Sequence, residues 1–321
     1  MGKREFRWGI LGPGRIARKF ASSLPFSQNG ILNGVASSSL ERAGSFGTEF
    51  GTKNAFETYE GMVNSGLVDA VYVARPHNFH KQDAELCLQH GIPVLCEKPL
   101  TTNLNDSLKL IDLSKEKGVF LMEGLWTSCL PSFQKALEWI KEGQIGEPLH
   151  ASADFGHPAA RDFSQRHFNP ELGGGAMKDI GIYPLALFMK VFGHGLKIQS
   201  SSIQLENGID AQEVFQVTSA SGQQTFQGMV SFLGATPSVA SIIGTEGRIQ
   251  FSPQWFRPVE VSLEIPGKEV LIFDGKTDSF GFQFEADEVD RCVSAGLIES
   301  PNWSHADSIE AARLIELAEK Q

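Results

Sequence analysis

Residues 9–17 read GILGPGRIA, and the fold turns on how this stretch is read. The apolar run Trp8–Leu11 has the pattern of a strand and Arg15–Ser22 that of a helix, so the glycines fall in the turn between them. Gly12, Pro13, Gly14, Arg15, Ile16 and Ala17 fit G-x-G-x-x-A. In such a turn the first glycine permits the reversal and the second lets a pyrophosphate approach the backbone. The small third residue lets helix and strand pack closely. The helix start then offers unpaired N–H groups to phosphate. Glycine turns are common; its place directly after a first strand and before a first helix marks this one as dinucleotide-binding.

From there to Glu123 strand and helix patterns alternate. Ile31–Ser37, Ala70–Ala74, Val94–Cys96 and Val119–Met122 read as strands, and Leu40–Phe50, Lys81–His90 and Leu104–Glu116 as helices. AVYVA at 70–74 is apolar throughout, as in a strand buried on both faces. Strict alternation implies parallel strands joined by right-handed crossovers, a doubly wound Rossmann sheet in an α/β protein. After Glu123 the rhythm changes. Ser132–Lys141 is an amphipathic helix. Leu149–Phe155, Glu213–Thr218, Gln224–Phe232, Ser238–Gly244, Arg248–Phe251, Val259–Ile265 and Glu269–Phe273 then read as strands joined without regular helices. That pattern predicts a second, α+β domain with a large, mostly antiparallel open sheet. Phe282–Ala295 and Asp307–Glu319 read as late helices. The expected domains are 1–123 and 124–321, with a boundary near 123–130.

The chain has 321 residues, room for two domains. Its 38 acids against 28 bases give a net charge of -10. That argues against non-specific binding to nucleic acid or to anionic membrane surfaces. No stretch approaches the ~18 apolar residues that span a bilayer. The charged N-terminus, MGKREFRWGIL, lacks the apolar core of a secretory signal. Cys87, Cys96, Cys129 and Cys292 show no C-x-x-C spacing and read as reduced thiols of a cytoplasmic protein.

In a doubly wound sheet ligands lie outside the carboxyl ends of the strands. Three strand ends therefore matter. The first, VASSSLERA, carries no acid at its tip, where one would bind the ribose of NAD and repel a 2′-phosphate. Ser37, Ser38 and Ser39 can donate to a phosphate and Arg42 is close in sequence, so NADP is expected, with NAD possible. The serine run also fits an ordinary helix N-cap. The second end is Ala74-Arg75-Pro76-His77, with His80 three positions on. Their H-x-x-H spacing suggests metal, but no third ligand of suitable spacing accompanies it. No metal is expected, and the histidines are placed near the nicotinamide or its phosphates. The third is Glu97-Lys98-Pro99. Pro99 restricts Lys98 to an extended backbone and stops the strand. A lysine fixed beside a nicotinamide can hydrogen-bond a substrate hydroxyl and lower the pKa of a neighbouring acid/base. A surface Glu–Lys pair kept for stability alone contributes only about 0–1 kcal/mol.

In the second half, residues 171–184 read ELGGGAMKDIGIYP. Glycines lead into a helix start at Asp179, and Tyr183, four positions on, shares its helix face. The chain has three tyrosines against 23 phenylalanines, so a phenol here is not compositional routine. Tyr183 is the candidate acid/base, tuned by Lys98. The alternative is an aspartate N-cap and a tyrosine packed in the core. Pro184 tells against a long regular helix unless it lies in the first turn.

With these residues on view, the chain resembles the Gfo/Idh/MocA family. The resemblance rests on GILGPGRIA, PHNFHKQDAELCLQHGIPVLCEKPL, GVFLMEGLWTSCLP, GGGAMKDIGIYP and GFQFEADEVDRCVSAGLIESP. Tyr at 183 and Trp126-Thr127 are most similar to the dihydrodiol dehydrogenase and NADP-dependent D-xylose dehydrogenase branch. The resemblance implies a Rossmann domain followed by a substrate domain whose open sheet builds a homo-oligomer, often a dimer. It implies hydride transfer between a nicotinamide and a sugar or cyclic diol carbon, with Lys98, Tyr183 and Asp179 matching the catalytic positions. It also implies a cis bond between Lys98 and Pro99. Three places depart from the pattern. Arg75 stands where relatives carry a small polar residue, Ser128-Cys129 replaces an Arg–aromatic pair, and Ser38 stands where NADP-using relatives often have arginine. Glu97 and Trp126 are added to the expected cofactor contacts, and Trp126, Phe155, His157, Arg161 and His167 to the substrate contacts. The expected activity is an NAD(P)-dependent dehydrogenase of CH–OH groups. A keto-sugar reductase and a non-catalytic NADP-binding sensor or scaffold stay open as alternatives.

Overall fold

The computed structural model of the chain describes residues 4–205 and 207–320. The chain falls into two compact units, Met1–Trp126 with Asp278–Ser308 and Thr127–Thr277 with Ile309–Gln321.

The first unit runs β1 (Phe6–Leu11), α1 (Arg15–Ser23), β2 (Gly30–Ala36), α2 (Leu40–Phe50), β3 (Ala55–Phe56), α3 (Tyr59–Val63), β4 (Ala70–Val73), α4 (His80–Gln89), β5 (Val94–Glu97), α5 (Leu104–Lys117) and β6 (Leu121–Gly124). Its six strands form one sheet in the order β3-β2-β1-β4-β5-β6, all pairs parallel. The winding reverses between β1 and β4, the crevice where such sheets take their ligands. Every residue of β4 and β5 is buried, as the unbroken apolar runs require. Phe20 stacks on Tyr72 at 4.0 Å and meets Trp8 edge-on at 5.0 Å. All three are fully buried; each such side chain contributes about 1.5–3 kcal/mol.

β6 begins two residues later than the sequence pattern suggests. The Gly118 and Val119 N–H groups are used to close α5, on Lys115 O and Ser114 O, so the strand starts only after them. It then runs on through Glu123, whose carboxylate is buried because it accepts from Leu100 N–H at 2.7 Å and from the Trp303 indole at 2.9 Å. The segment 278–308 returns to the first unit, where the sequence places a single crossing near 123–130. Its helix α8 (Gln283–Ser294) carries Asp287 and Asp290, which accept from Gln28 N–H and the Asn29 amide. Downstream, Ile298 O accepts from Leu121 N–H. These polar bonds tie the late segment to β6 and to the chain before β2.

The second unit holds α6 (Pro131–Lys141), β7 (Pro148–Gly156), α7 (Ile182–Phe192), β8 (Lys197–Gln204), β9 (Asp210–Thr218), β10 (Thr225–Ser231), β11 (Ala240–Gly244), β12 (Arg248–Phe251), β13 (Glu260–Glu264), β14 (Leu271–Asp274) and the later part of α9 (His305–Ala318). Its eight strands lie in the order β14-β13-β12-β11-β7-β10-β9-β8. β7 and β10 pair in parallel and the rest antiparallel. Along β9, Ala211, Glu213, Phe215 and Val217 are buried while Val214 and Gln216 face out, the period of two of a half-covered sheet. β8 escaped the sequence reading because KIQSSSIQ is largely polar and exposed. Pro184 sits in the first turn of α7, where its missing N–H costs nothing. A π turn over Met177–Gly181 leads into that helix.

Candidate active site

In the first unit the glycine turn has the predicted form. Gly12 has φ +89, and its N–H donates to Ala36 O at 3.1 Å. A Cβ on Gly12 would stand 2.5 Å from Arg75 Cγ, so only glycine fits beneath that side chain. At Gly14 a Cβ would meet nothing nearer than Ala74 O at 3.9 Å. α1 starts at Arg15, with Ile16 next, and has neither a side-chain cap nor an acid in its first turn. Its N–H groups are thus unspent by side chains, and the turn past Pro13 is open over Gly14. These residues fit the diphosphate of a dinucleotide.

At the end of β2 the serines divide their tasks. Ser37 is 2% exposed, and its hydroxyl accepts from Ser39 N–H at 3.3 Å. Ser39 caps α2 by accepting from Arg42 N–H. Ser38 is exposed and accepts from the Arg42 guanidinium at 2.9 Å. Residues 37–39 of this tip are all serine, and the next acid is Glu41 in the first turn of α2. Ser39 is thus the N-cap, while Ser38 and Arg42 form a separate, exposed pair.

Beyond β4, Ala74 is buried with its N–H on Leu11 O. Arg75 is clamped: it donates to both oxygens of Asp83, at 2.8 and 3.1 Å, and its guanidinium lies 3.9 Å from the Phe79 ring centre and 4.6 Å from that of Tyr59. Burial pushes the Asp83 carboxyl up to about 6 against the opposing pull of Arg75. His80 is fully buried, its ring nitrogens 2.8 Å from Pro99 O and from Arg75 O, and the His77 ring is 5.5 Å away. At the end of β5, Glu97 accepts from the Tyr72 phenol and from Lys98 N–H. Lys98 is half-buried, and the Lys98–Pro99 bond is cis. Burial raises the Cys96 thiol well above its ordinary value and raises Glu123 as well. Trp126 stacks face to face on Phe282 at 4.7 Å.

In the second unit Tyr183 and Asp179 are both buried, 7% and 2% exposed. The Tyr183 ring meets Phe155 edge-on at 5.2 Å, and Phe155 stacks on Phe256 at 3.7 Å. His157 lies 5.9 Å from Phe155, 6.0 Å from His167 and 5.4 Å from Phe232. Arg161 is exposed, its guanidinium 5.7 Å from the Phe163 ring centre. Asp179 accepts from Arg166 at 2.9 Å. The fold therefore links Tyr183, Phe155, His157 and His167 through successive ring contacts, with Asp179 one helical turn before Tyr183. Arg166, Phe256 and Asp83 went unnoticed in the sequence. Arg166 sat in the segment already suspected from Arg161 and His167, and a buried acid at 179 was reason to look for its cation.

Residues 6–125 match the family described as "Oxidoreductase family, NAD-binding Rossmann fold", and residues 133–250 match "GFO/IDH/MocA C-terminal domain". A trans-1,2-dihydrobenzene-1,2-diol dehydrogenase from Danio rerio is 33% identical, over 98% of this chain and 96% of its own. The chain belongs to the GFO/IDH/MocA oxidoreductase family. A second relative, scyllo-inositol 2-dehydrogenase (NADP(+)) from Bacillus subtilis, is 29% identical over 98% of this chain and 96% of its own. Among solved structures, a 3-ketoreductase from Actinomadura kijaniata, in complex with NADP and TDP-benzene, superposes with a TM-score of 0.85 at 25% identity. That match covers 99% of this chain and 98% of the other. As a member of that family the protein is an oxidoreductase with an NAD(P)-binding Rossmann domain. Among the described residues no helix is long and apolar enough to cross a membrane.

Proposed function

We propose that the protein is an NADP-dependent dehydrogenase acting on a CH–OH group of a cyclic diol or a sugar, of the dihydrodiol or aldose type. The observation that carries this reading is the buried Tyr183 phenol beside Phe155 and one helical turn from the Asp179–Arg166 pair. It stands in a chain alike over nearly its full length to a dihydrodiol dehydrogenase. The absence of an acid at the end of β2, with Ser38 and Arg42 exposed there, supports NADP over NAD. The first unit holds the dinucleotide and the second the substrate.

The dinucleotide, when bound, supplies the hydride acceptor for oxidation. Tyr183 Oη takes the proton of the reacting hydroxyl. Lys98, which matches the family's catalytic lysine, is assigned to stabilise the developing oxyanion. Asp179, paired with Arg166, accepts from neighbouring substrate hydroxyls and sets their orientation. In the second unit the stacked rings of Phe155 and Phe256 beside Tyr183 offer an apolar surface that suits a substrate ring face. His157 and His167 offer ring nitrogens to further hydroxyls.

The reverse direction, reduction of a keto-sugar, uses the same groups, and the likeness to a 3-ketoreductase supports it as the second reading. Arg75 lends no support to a non-catalytic role, because Asp83, Tyr59 and Phe79 hold its guanidinium. The thiols of Cys87, Cys96, Cys129 and Cys292, all buried and in no disulfide, support a reducing, cytoplasmic setting.

The open face of the second sheet supports a homo-oligomer. One row of cross-strand partners reads Gln199, Gln216, Gln227, Ser152, Ser241, Gln250, Ser262 and Ile272 from one edge to the other. It holds no charge, and Val214, Ile203 and Ile243, on the same face, are exposed. Amides and hydroxyls both donate and accept, so such a surface is complementary to a second copy of itself.

The test is a fluorescence screen of NADPH formation over trans-diols, aldoses and inositols, with NAD⁺ in parallel. Turnover of a diol or sugar with NADP⁺ is the expected result; dinucleotide binding with no turnover across the panel would contradict it.

A further inference from the structure

Both ring nitrogens of His80 face carbonyl oxygens. Nδ1 lies 2.8 Å from Pro99 O and Nε2 2.8 Å from Arg75 O, and the ring has no solvent exposure. A carbonyl oxygen only accepts, and a neutral imidazole has one N–H to give. The neutral ring therefore satisfies one contact and turns a lone pair toward the other oxygen. The imidazolium satisfies both.

Two influences hold the proton off. Burial is the larger, and the charges of Lys98 and Arg75 add to it. The acids around the ring are already engaged. Asp83, on the same helix, is taken by Arg75. Glu97 accepts from Tyr72 and Lys98 N–H, and Glu123 from Leu100 N–H and Trp303. His77 lies 5.5 Å away, ring to ring.

The two carbonyls belong to the two turns the reaction needs. Arg75 packs its Cγ over Gly12, at the phosphate-binding turn. Pro99 follows Lys98. A dinucleotide on the glycine turn brings phosphate charge beside Arg75 and so relieves one of the forces that keep His80 neutral.

We propose that His80 is a positioning residue that takes up one proton from solvent when the dinucleotide binds. The imidazolium then donates to the Arg75 and Pro99 carbonyls together and joins the phosphate-binding turn to the Lys98 turn. The sign follows. The proton is held more tightly in the complex, so the added dinucleotide affinity is fully present below the pKa of the free protein. It is lost as pH rises through the pKa of the complex. The proposal rests on dinucleotide binding alone and is independent of which diol or sugar is the substrate.

The experiment is nitrogen NMR of ¹⁵N-histidine-labelled protein, free and saturated with NADP⁺ at neutral pH, with the His80 signals identified by their loss in His80→Gln. One protonated and one bare ring nitrogen are expected in the free protein, and two protonated nitrogens in the complex. Calorimetry in buffers of different ionisation heat counts the protons: wild type takes up roughly half a proton or more per dinucleotide at pH 7, and His80→Gln loses that uptake and binds NADP⁺ severalfold more weakly. A bare nitrogen persisting in the complex, two protonated nitrogens already in the free protein, or unchanged uptake in His80→Gln would each overturn the proposal. If His80→Gln does not fold, the wild-type spectra and proton count decide alone. No binding heat with either dinucleotide would strike the dinucleotide assignment itself, an outcome distinct from binding without proton uptake.

Discussion

Arg166 Nη1 lies 2.9 Å from Asp179 Oδ1, and the two ends of this pair differ: the arginine side chain is 40% exposed, the aspartate 4%. The pair reaches from solvent to a buried carboxylate one helical turn before Tyr183. Removing the cation leaves that carboxylate buried and uncompensated, which is costlier than losing a surface ion pair. Arg166→Ala is expected to lower kcat/KM by about tenfold to a hundredfold, a loss of about 1.4–2.7 kcal/mol, and to lower Tm. Arg166→Lys should recover part of both. Steady-state kinetics and thermal unfolding of the two variants check this, and an unimpaired Arg166→Ala enzyme would show that Asp179 does not depend on the pair.

The Ser38–Arg42 contact gives a test of cofactor choice. A charge-assisted hydrogen bond to a phosphate contributes about 1.5–3 kcal/mol. Arg42→Ala should therefore raise the Kd for NADP⁺ by about tenfold to a hundredfold and leave that for NAD⁺ within about twofold. Equal weakening of both dinucleotides would place Arg42 in the structural support of α2 instead.

Glu213 predicts a pH dependence of stability. It is 2% exposed, its Oε1 has no partner, and burial pushes its carboxyl up to about 7. The nearby Asp210 is pushed up to about 6 by the same cause, while its carboxylate accepts from Met177 N–H at the head of the π turn. A carboxyl whose folded pKa is raised binds its proton more tightly in the fold. The stability it contributes is full below the unfolded value of about 4.3 and is lost as pH rises through about 7. Glu213→Gln should match wild type near pH 4 and exceed it at pH 8 by about 1–2 kcal/mol in denaturant unfolding. A difference that does not change with pH would contradict this.

The uncharged row across the second sheet predicts how to split an oligomer. Gln216 and Gln227 are cross-strand partners on its exposed face. Changing both to lysine sets like charges against one another in a self-complementary contact, at a cost of several kcal/mol. Light scattering should then report the mass of one chain while dinucleotide binding persists. An unchanged mass would place the contact on another surface.

Much of this was legible in the sequence because local signals and long-range structure agreed. GILGPGRIA, the apolar β4 and the glycine-capped helices gave the six-stranded parallel sheet, since each carries its own periodicity and punctuation. The antiparallel sheet was visible through alternation in β9 and β10. β8 was hidden because its polar residues serve an exposed face, and β6 was misplaced because a helix cap consumed its first amides. The return of 278–308 to the first unit left no local mark: it rests on bonds such as Trp303 to Glu123, far apart in the chain. Lys98 and Tyr183 stood out as residue types at odds with their surroundings. Arg166 and Asp83 did not, because a surface-type residue that answers a buried charge looks ordinary until its partner is placed.

In the proposed reaction Tyr183 takes the proton of the reacting hydroxyl, and Lys98 is required for turnover. The direct measurement is kcat/KM for Tyr183→Phe and Lys98→Met on a substrate turned over by the wild type, with the NADP⁺ Kd measured alongside. A fall of about 10²- to 10⁴-fold in each variant, with the dinucleotide Kd changed less than about threefold, is the predicted result. Wild-type kcat/KM in either variant would contradict the claim.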